Sequence, residues 1–376
     1  MTHRERIMAA VHHKEADRVP VDLGSTSTTT LTAGAHERLR GYLGLPCDTP
    51  PEVFLYRASI VIPDAAILRR FDVDARPLLL GGPFGRPDRT LAEDAFVDEW
   101  DVTWTRHGDS NFIYSDGPFY HLNEPSLQDL AKYAWPDPDD PGRYEGLRKR
   151  AAALHEKTDY AVILSLGLGP IHQSQFVRGF GKWLEDLLVY PAFAEALMER
   201  IVDVWIQIAA KALDEACDYV DLVMFGDDVG IQGSPMVRPE LYRCMIKPQH
   251  RRMVGAVKQY NKPVMMHSCG SVYRLIPDLI DVGIDALNPI QVSAAQMDTK
   301  RLKQEFGRDL TFWGGIDTHQ VLPRGTPKDV RDEVKHRIED LGSGGGFVLC
   351  AVHNIQPEVP PENVVAMYDA AREYFR

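Results

Sequence analysis

The sequence predicts an α/β protein of the TIM (β/α)8 type, and three observations predict it. Short, nearly continuous apolar runs recur from about residue 126 onward, each followed by an amphipathic helical stretch. The runs end in Gly, Asp, Cys or Asn, as strands do when they deliver side chains to a site at their carboxyl ends. The runs also lack polar alternation, so both faces of their sheet are covered, which calls for parallel strands linked by helices.

In chain order, DVDARPLLL (72–80) opens the series. The segment 95–122 interrupts it: alternating apolar residues around a central HGDSN read as a β-hairpin inserted after the first strand. YAVILSLG (160–167) is a buried strand, and Pro191 sits where a helix takes proline in its first turn. YVDLVMFGDD (219–228), PVMMHSCG (263–270), IDALNPIQ (284–291), LTFWGGID (310–317) and GFVLCAVH (346–353) continue the series. The helices between them fall at Pro239 to about Gln259, near 272–281, near 298–306 and over 327–341, and a last one starts near Pro361. Seven strands are assigned in this way, and an eighth is needed for closure. The organisation expected is one barrel domain, 1–376, with an N-terminal extension over 1–71. Within the extension, a Thr-rich loop (24–34) leads to a helix near 35–43.

Composition narrows the function. Forty-two basic against 54 acidic residues give a net charge of −12, which disfavours nucleic acid or an anionic membrane as partner. No apolar run approaches the ~18 residues that span a bilayer, and the first 20 residues carry charge throughout, so a cytoplasmic protein is expected. Five cysteines (Cys47, Cys217, Cys244, Cys269, Cys350) form an odd set, which reads as reduced thiols.

The residues that carry chemistry cluster at strand ends. His267 and Cys269 are two apart on one strand and project to the same side. Cys350 ends a distant strand that a barrel brings close. Two thiolates and an imidazole make a three-ligand zinc set with one position open for chemistry. The competing reading is that Cys350 is a small buried hydrophobe and His267 is held by a hydrogen bond. Asp227 and Asp228 end another strand, where at most one can face the site as a general base or metal contact; a helix cap is the alternative. Gln232 and Asp317 are candidates for contacting substrate, and His172 follows LGLGP at the expected mouth. Trp100, Trp104, Phe112 and Tyr114 alternate on the inserted hairpin, either walling a substrate or packing the hairpin down.

The order HSCG, IDALNPIQ, WGGID and LCAVHNIQPEVPPENV, with the opening ERIMAAVHHKEADRVPV and the phrase FGDDVGIQGSPMVRPELYRCMIKPQHRRM, resembles the uroporphyrinogen decarboxylase superfamily along almost the whole chain. The HxC…C pattern is similar to its zinc-dependent corrinoid and coenzyme M methyltransferase branch. The resemblance implies a TIM barrel with zinc on His267, Cys269 and Cys350. It implies methyl transfer between a small donor, favoured as an O-methyl compound, and a thiol or a corrinoid carried on a partner protein. His353 matches a histidine of the decarboxylases. The arginine-rich motif those enzymes use for substrate carboxylates is replaced here by VDLGSTSTTT (21–30). The glutamate that methyltransferase relatives add as a zinc ligand is also absent, and Asn288 and Gln291 stand on that strand instead. Decarboxylation of a porphyrinogen, or ligand holding without catalysis, are the alternatives.

Overall fold

The computed structural model describes residues 1–46, 50–108 and 110–374; Cys47, and Asp109 of the expected hairpin, lie outside them. Seven parallel strands lie side by side in sequence order: Ala75–Leu79, Ala161–Leu168, Leu222–Gly226, Val264–His267, Ala286–Asn288, Thr311–Trp313 and Phe347–Val348. Each falls inside a run that the sequence marks as a strand, except that Ala161–Leu168 extends one residue beyond 160–167. The sheet curls into a TIM-type barrel covered by helices, the longest being Pro191–Ala216.

The eighth position is filled from the N-terminal extension. Residues 19–23 lie between the first and last strands of the sheet. Leu349 N donates to Pro20 O (2.9 Å), Asp22 N to Leu349 O (3.0 Å) and Asp74 N to Val21 O (3.0 Å). Only one parallel bridge forms, Val21 with Leu349. Pro20 and Pro77 have no N–H to donate, so this seam cannot build a full ladder. A carboxylate supplements it: Asp74 Oδ2 accepts from Val21 N and from Arg18 Nη1, both at 2.7 Å.

Inside the barrel, residues two apart along each strand stack in layers. Ala161 with Ile163, Leu222 with Met224, and Met265, Ala286, Trp313, Val348 and Cys350 form one buried apolar cluster. Ile7, Ala10 and Val11 of the helix His3–Val11 join it, plugging the amino-terminal end. Two residues beyond Met265 and Ala286 come His267 and Asn288, so the layer next to the carboxyl-terminal mouth is polar.

The insertion is larger than a hairpin. Four antiparallel strands form it: Arg89–Ala92, Ala95–Val97, Thr103–Thr105 and Ile113–Asp116. The first strand is exposed along its length and has no apolar alternation, which is why periodicity misses it. A smaller three-stranded sheet in the extension joins Leu31–Thr32, Ile60–Ile62 and Glu52–Leu55. The four described cysteines are free thiols. Among the described residues, no helix is long and apolar enough to cross a membrane.

Candidate metal centre

The strand Val264–His267 ends at the mouth, and the next three residues are pinned by backbone amides. Ser268 N donates to Asn288 O (2.7 Å), Cys269 N to Asp228 Oδ1 (2.7 Å) and Gly270 N to Gln291 Oε1 (2.7 Å). Gly270 has φ of +92°, and a Cβ there would come within 2.5 Å of the Gly230 carbonyl carbon. Only glycine permits this turn straight after Cys269.

These constraints bring Cys269 Sγ to 3.5 Å from His267 Nε2. The His353 ring faces His267 edge-on, with centroids 5.4 Å apart. One ligand atom from each of His267, Cys269 and His353 lies within 4.8 Å of the other two. Cys350 is placed differently. Its thiol is 1% exposed and belongs to the apolar interior cluster with Val348 and Trp313, so the structure does not bring it into this group. Cys350 continues the inward-facing series from Val348, and the chain needs three more residues to reach the mouth at His353.

The electrostatics of the three groups follow from burial. Burial lowers the pKa of His267, and burial together with nearby His267 lowers that of His353 to about 4. Both imidazoles are therefore neutral, with a nitrogen lone pair to offer. Burial, then the charge of Asp228, pushes the Cys269 thiol well up, and burial followed by Asp22 does the same to Cys350. A cation bound beside Cys269 would displace its proton.

The two adjacent carboxylates separate as strand geometry requires. Asp228 faces the group: beyond its bond from Cys269 N, it lies 3.9 Å from His267 Nε2 and 3.5 Å from His172 Nε2. Burial opposes its charge most strongly, but His172, His267 and the Cys269 amide together outweigh burial and hold its carboxyl below the usual range. Burial likewise opposes charging of His172, and Asp228, with Asp227 and the Gly226 carbonyl, overcomes it, so its pKa is raised. Asp227 turns the other way, into the helix layer around the barrel, and is fully buried. It accepts from Ile171 N (3.1 Å) and His172 N (2.9 Å) at the start of the helix Pro170–Arg178, and lies 2.7 Å from His250 Nε2. His250 Nδ1 is 3.0 Å from the Tyr242 hydroxyl.

The remaining candidates support the site from behind. Asn288 Oδ1 is 2.6 Å from His267 Nδ1. Gln291 Nε2 donates to Gln232 Oε1 (2.9 Å), and Gln232 donates to Ser293 O, so this amide pair braces the loop carrying Gly270. Asp317 Oδ1 accepts from His319 N (2.7 Å), holding its own turn. Trp104 and Phe112 are buried with Phe96 and Phe176, packing the inserted sheet against the helix Pro170–Arg178, whereas Trp100 lines a cavity. Sequence reasoning missed Thr28, whose hydroxyl donates to Asn288 Oδ1 (3.2 Å), and the His250–Tyr242 pair. Thr28 sits in a run of hydroxyl residues with no singular pattern. His250 and Tyr242 are eight apart on a helical stretch, with nothing in their spacing to point to a carboxylate on another element.

The fold and the cluster define a TIM-type barrel with a thiol–imidazole group at its carboxyl-terminal mouth. The sequence model of the uroporphyrinogen decarboxylase family matches residues 109–374, more than half of the chain. The chain belongs to that family, as its motifs suggest. It is 24% identical over 251 residues to a methylated-thiol–coenzyme M methyltransferase of Methanosarcina mazei, covering 66% of this chain and 64% of that protein. It is 30% identical over 271 residues to a uroporphyrinogen decarboxylase of Methylococcus capsulatus, covering 70% of this chain and 73% of the relative. The structure of a methyltransferase from Methanosarcina mazei superposes over 100% of both chains, with a TM-score of 0.69 at 18% identity, a likeness of fold.

Proposed function

We propose that the chain is a zinc-dependent methyltransferase of the cytoplasm. It moves a methyl group between a small donor, favoured as an O-methyl compound, and a thiol or a corrinoid protein docked at the carboxyl-terminal face. The observation that carries this reading is the convergence of His267, Cys269 and His353 at the barrel mouth. The donor set fits zinc: two neutral imidazoles and one thiol whose burial penalty a cation would relieve. We assign the ligands as His267, Cys269 and His353. Cys350, the other candidate, would have to leave the apolar interior to join them. When bound, zinc supplies Lewis acidity at its open position, toward a thiol or an ether oxygen.

The chain's own residues do the rest. Asn288 orients His267, and the Asp228 carboxylate fixes the Cys269 amide. His172, whose charged form Asp228 favours, is the candidate to give a proton to an oxygen that leaves with negative charge. Gln232 and Gln291 hold the loop, and the inserted sheet walls the mouth within one unit, 1–376.

The decarboxylase reading is supported by relatives of that name, among them the 30% identical one. Against it, the segment 25–30 carries hydroxyl residues and no arginine, and it meets the mouth through Thr28, which donates to Asn288, where a polycarboxylate would need cations. The test is metal content together with turnover. Purified protein is expected to carry about one zinc per chain. It is also expected to methylate cob(I)alamin from a methyl aryl ether, followed by corrinoid absorbance. Consumption of uroporphyrinogen by metal-free protein would replace this reading with the decarboxylase. A zinc-loaded protein that turns over neither would be a binding barrel.

A further inference from the structure

A cavity of about 460 Å³ opens beside the mouth, between the inserted sheet, the extension and the barrel. Its barrel side is the carboxyl ends of the first two strands, through Leu79 to Gly81 and Ser165 to Leu168. Phe96 and Trp100 wall it from the inserted sheet, and Trp205 from the long helix. Ser27 also lines it, one residue before the Thr28 that bonds Asn288, so the cavity adjoins the segment that supports His267.

Most of its charges are already satisfied. Asp98 accepts from the amides of Trp100 (2.8 Å) and Val102 (3.1 Å) and from Trp104 Nε1 (2.8 Å). Arg143 grips Glu99 with both terminal nitrogens. Arg57 differs. Arg57 lines the cavity, its guanidinium carbon lies 4.5 Å from the Trp104 ring centroid and 5.4 Å from that of Phe176, and among the described residues its side chain donates no hydrogen bond and forms no ion pair. The contact with the rings is made by the charge of the guanidinium and uses none of its N–H donors, which remain suited to a bidentate anion.

We propose that Arg57 anchors the anionic head group, a carboxylate or sulfonate, of a small flat apolar ligand seated between Phe96, Trp100 and Trp205. Burial disfavours the charge on Arg57, and a bound anion relieves that cost. Of the two acids nearby, Asp98 already accepts three N–H donors and Asp88 lines the cavity, so the anionic head group must sit on the donors of Arg57 that these carboxylates leave unbonded. The inference names the substrate class of the proposed methyl transfer. It rests on that reading for the reaction, though not for the binding.

The test is calorimetric titration of the full chain with 3-methoxybenzoate and with its neutral isostere 3-methoxybenzamide. Wild type is expected to bind the carboxylate at least tenfold more tightly than the amide. Arg57→Gln is expected to erase that preference, and Arg57→Lys to keep part of it. Equal affinity of wild type for the two compounds overturns the proposal without recourse to any variant. A preference that survives in a folded Arg57→Gln also overturns it. The two readings fail separately. If anion binding depends on Arg57 but the protein takes up no zinc, methyl transfer falls alone. If zinc and turnover of neutral ethers stand while the anion preference is missing, the Arg57 anchor falls alone.

Discussion

His267 Nδ1 lies 2.6 Å from Asn288 Oδ1, and this contact determines which nitrogen of His267 faces the mouth. The amide orientation of Asn288 is itself determined, because its Nδ2 donates to the Trp313 carbonyl (3.1 Å). Oδ1 must therefore accept, Nδ1 of His267 must carry the proton, and Nε2 is left with its lone pair beside Cys269. Asn288→Ala removes this constraint and lets the ring rotate or change tautomer. Metal affinity is expected to fall about 10- to 100-fold, measured by competition with a chromophoric chelator. Asn288→Asp, which keeps the acceptor, is expected to bind metal better than Asn288→Ala.

The position of Cys350 leads to a second expectation. His267→Ala, Cys269→Ser and His353→Ala should each lower zinc per chain, read by elemental analysis. Cys350→Ala should keep the metal and instead lose about 1 kcal/mol of unfolding free energy, as a small apolar group leaves the packed interior. Loss of zinc in Cys350→Ala with full occupancy in His353→Ala would reverse the ligand assignment.

Much of the architecture is legible in the sequence, and the exceptions have physical causes. The seven strands announce themselves because buried parallel strands are continuous apolar runs, as in AVILSLGL and VMMH. The closing segment at 19–23 has no such signature. It contributes one bridge and is held by Leu349 on one side and by Asp74, two residues into the first expected strand run, on the other. The His267–Cys269 pair follows from two-residue spacing on one strand. His353 could not be grouped with it by that rule, because the chain has left its strand after Val348. Arg57 carried no signal either: it sits in a short 3-10 turn of the extension, and only the folding of the inserted sheet over it creates its aromatic seat.

Asp227 is expected to matter for folding at least as much as for chemistry. It holds the first amides of the helix Pro170–Arg178 and the buried His250, so Asp227→Ala should cost about 2–4 kcal/mol in urea unfolding. Gly169 packs against it so closely that a Cβ would lie 2.7 Å from the Asp227 Cγ. Gly169→Ala alone should cost about 1–3 kcal/mol through this clash. The double variant should cost less than the sum of the two, since removing the Asp227 carboxyl removes what the new methyl meets. Strict additivity would refute the contact.

The final expectation concerns pH and a clasp between the two ends of the chain. Asp369, on the helix Pro361–Glu373, receives two bonds from Arg70 on the helix Ala65–Phe71: Nη1 to Oδ1 at 2.7 Å and Nη2 to Oδ2 at 2.9 Å. The Arg70 hydrogen bonds hold the Asp369 carboxyl below its usual pKa, outweighing the opposing effect of burial. A carboxyl whose pKa is lower folded than unfolded binds fewer protons in the native state, so its contribution rises with pH. That contribution is fully present above the unfolded value of ~3.9 and is lost as pH falls through the lower folded value. Arg70 is 38% exposed, which limits the clasp to about 0.5–1 kcal/mol. Asp369→Asn should therefore be less stable than wild type by that amount at pH 7, and the gap should narrow only once the pH drops below about 4. Urea unfolding of both proteins between pH 3 and 7 measures this. A gap that closes near pH 6 instead would assign the clasp's contribution to a histidine rather than to this carboxylate.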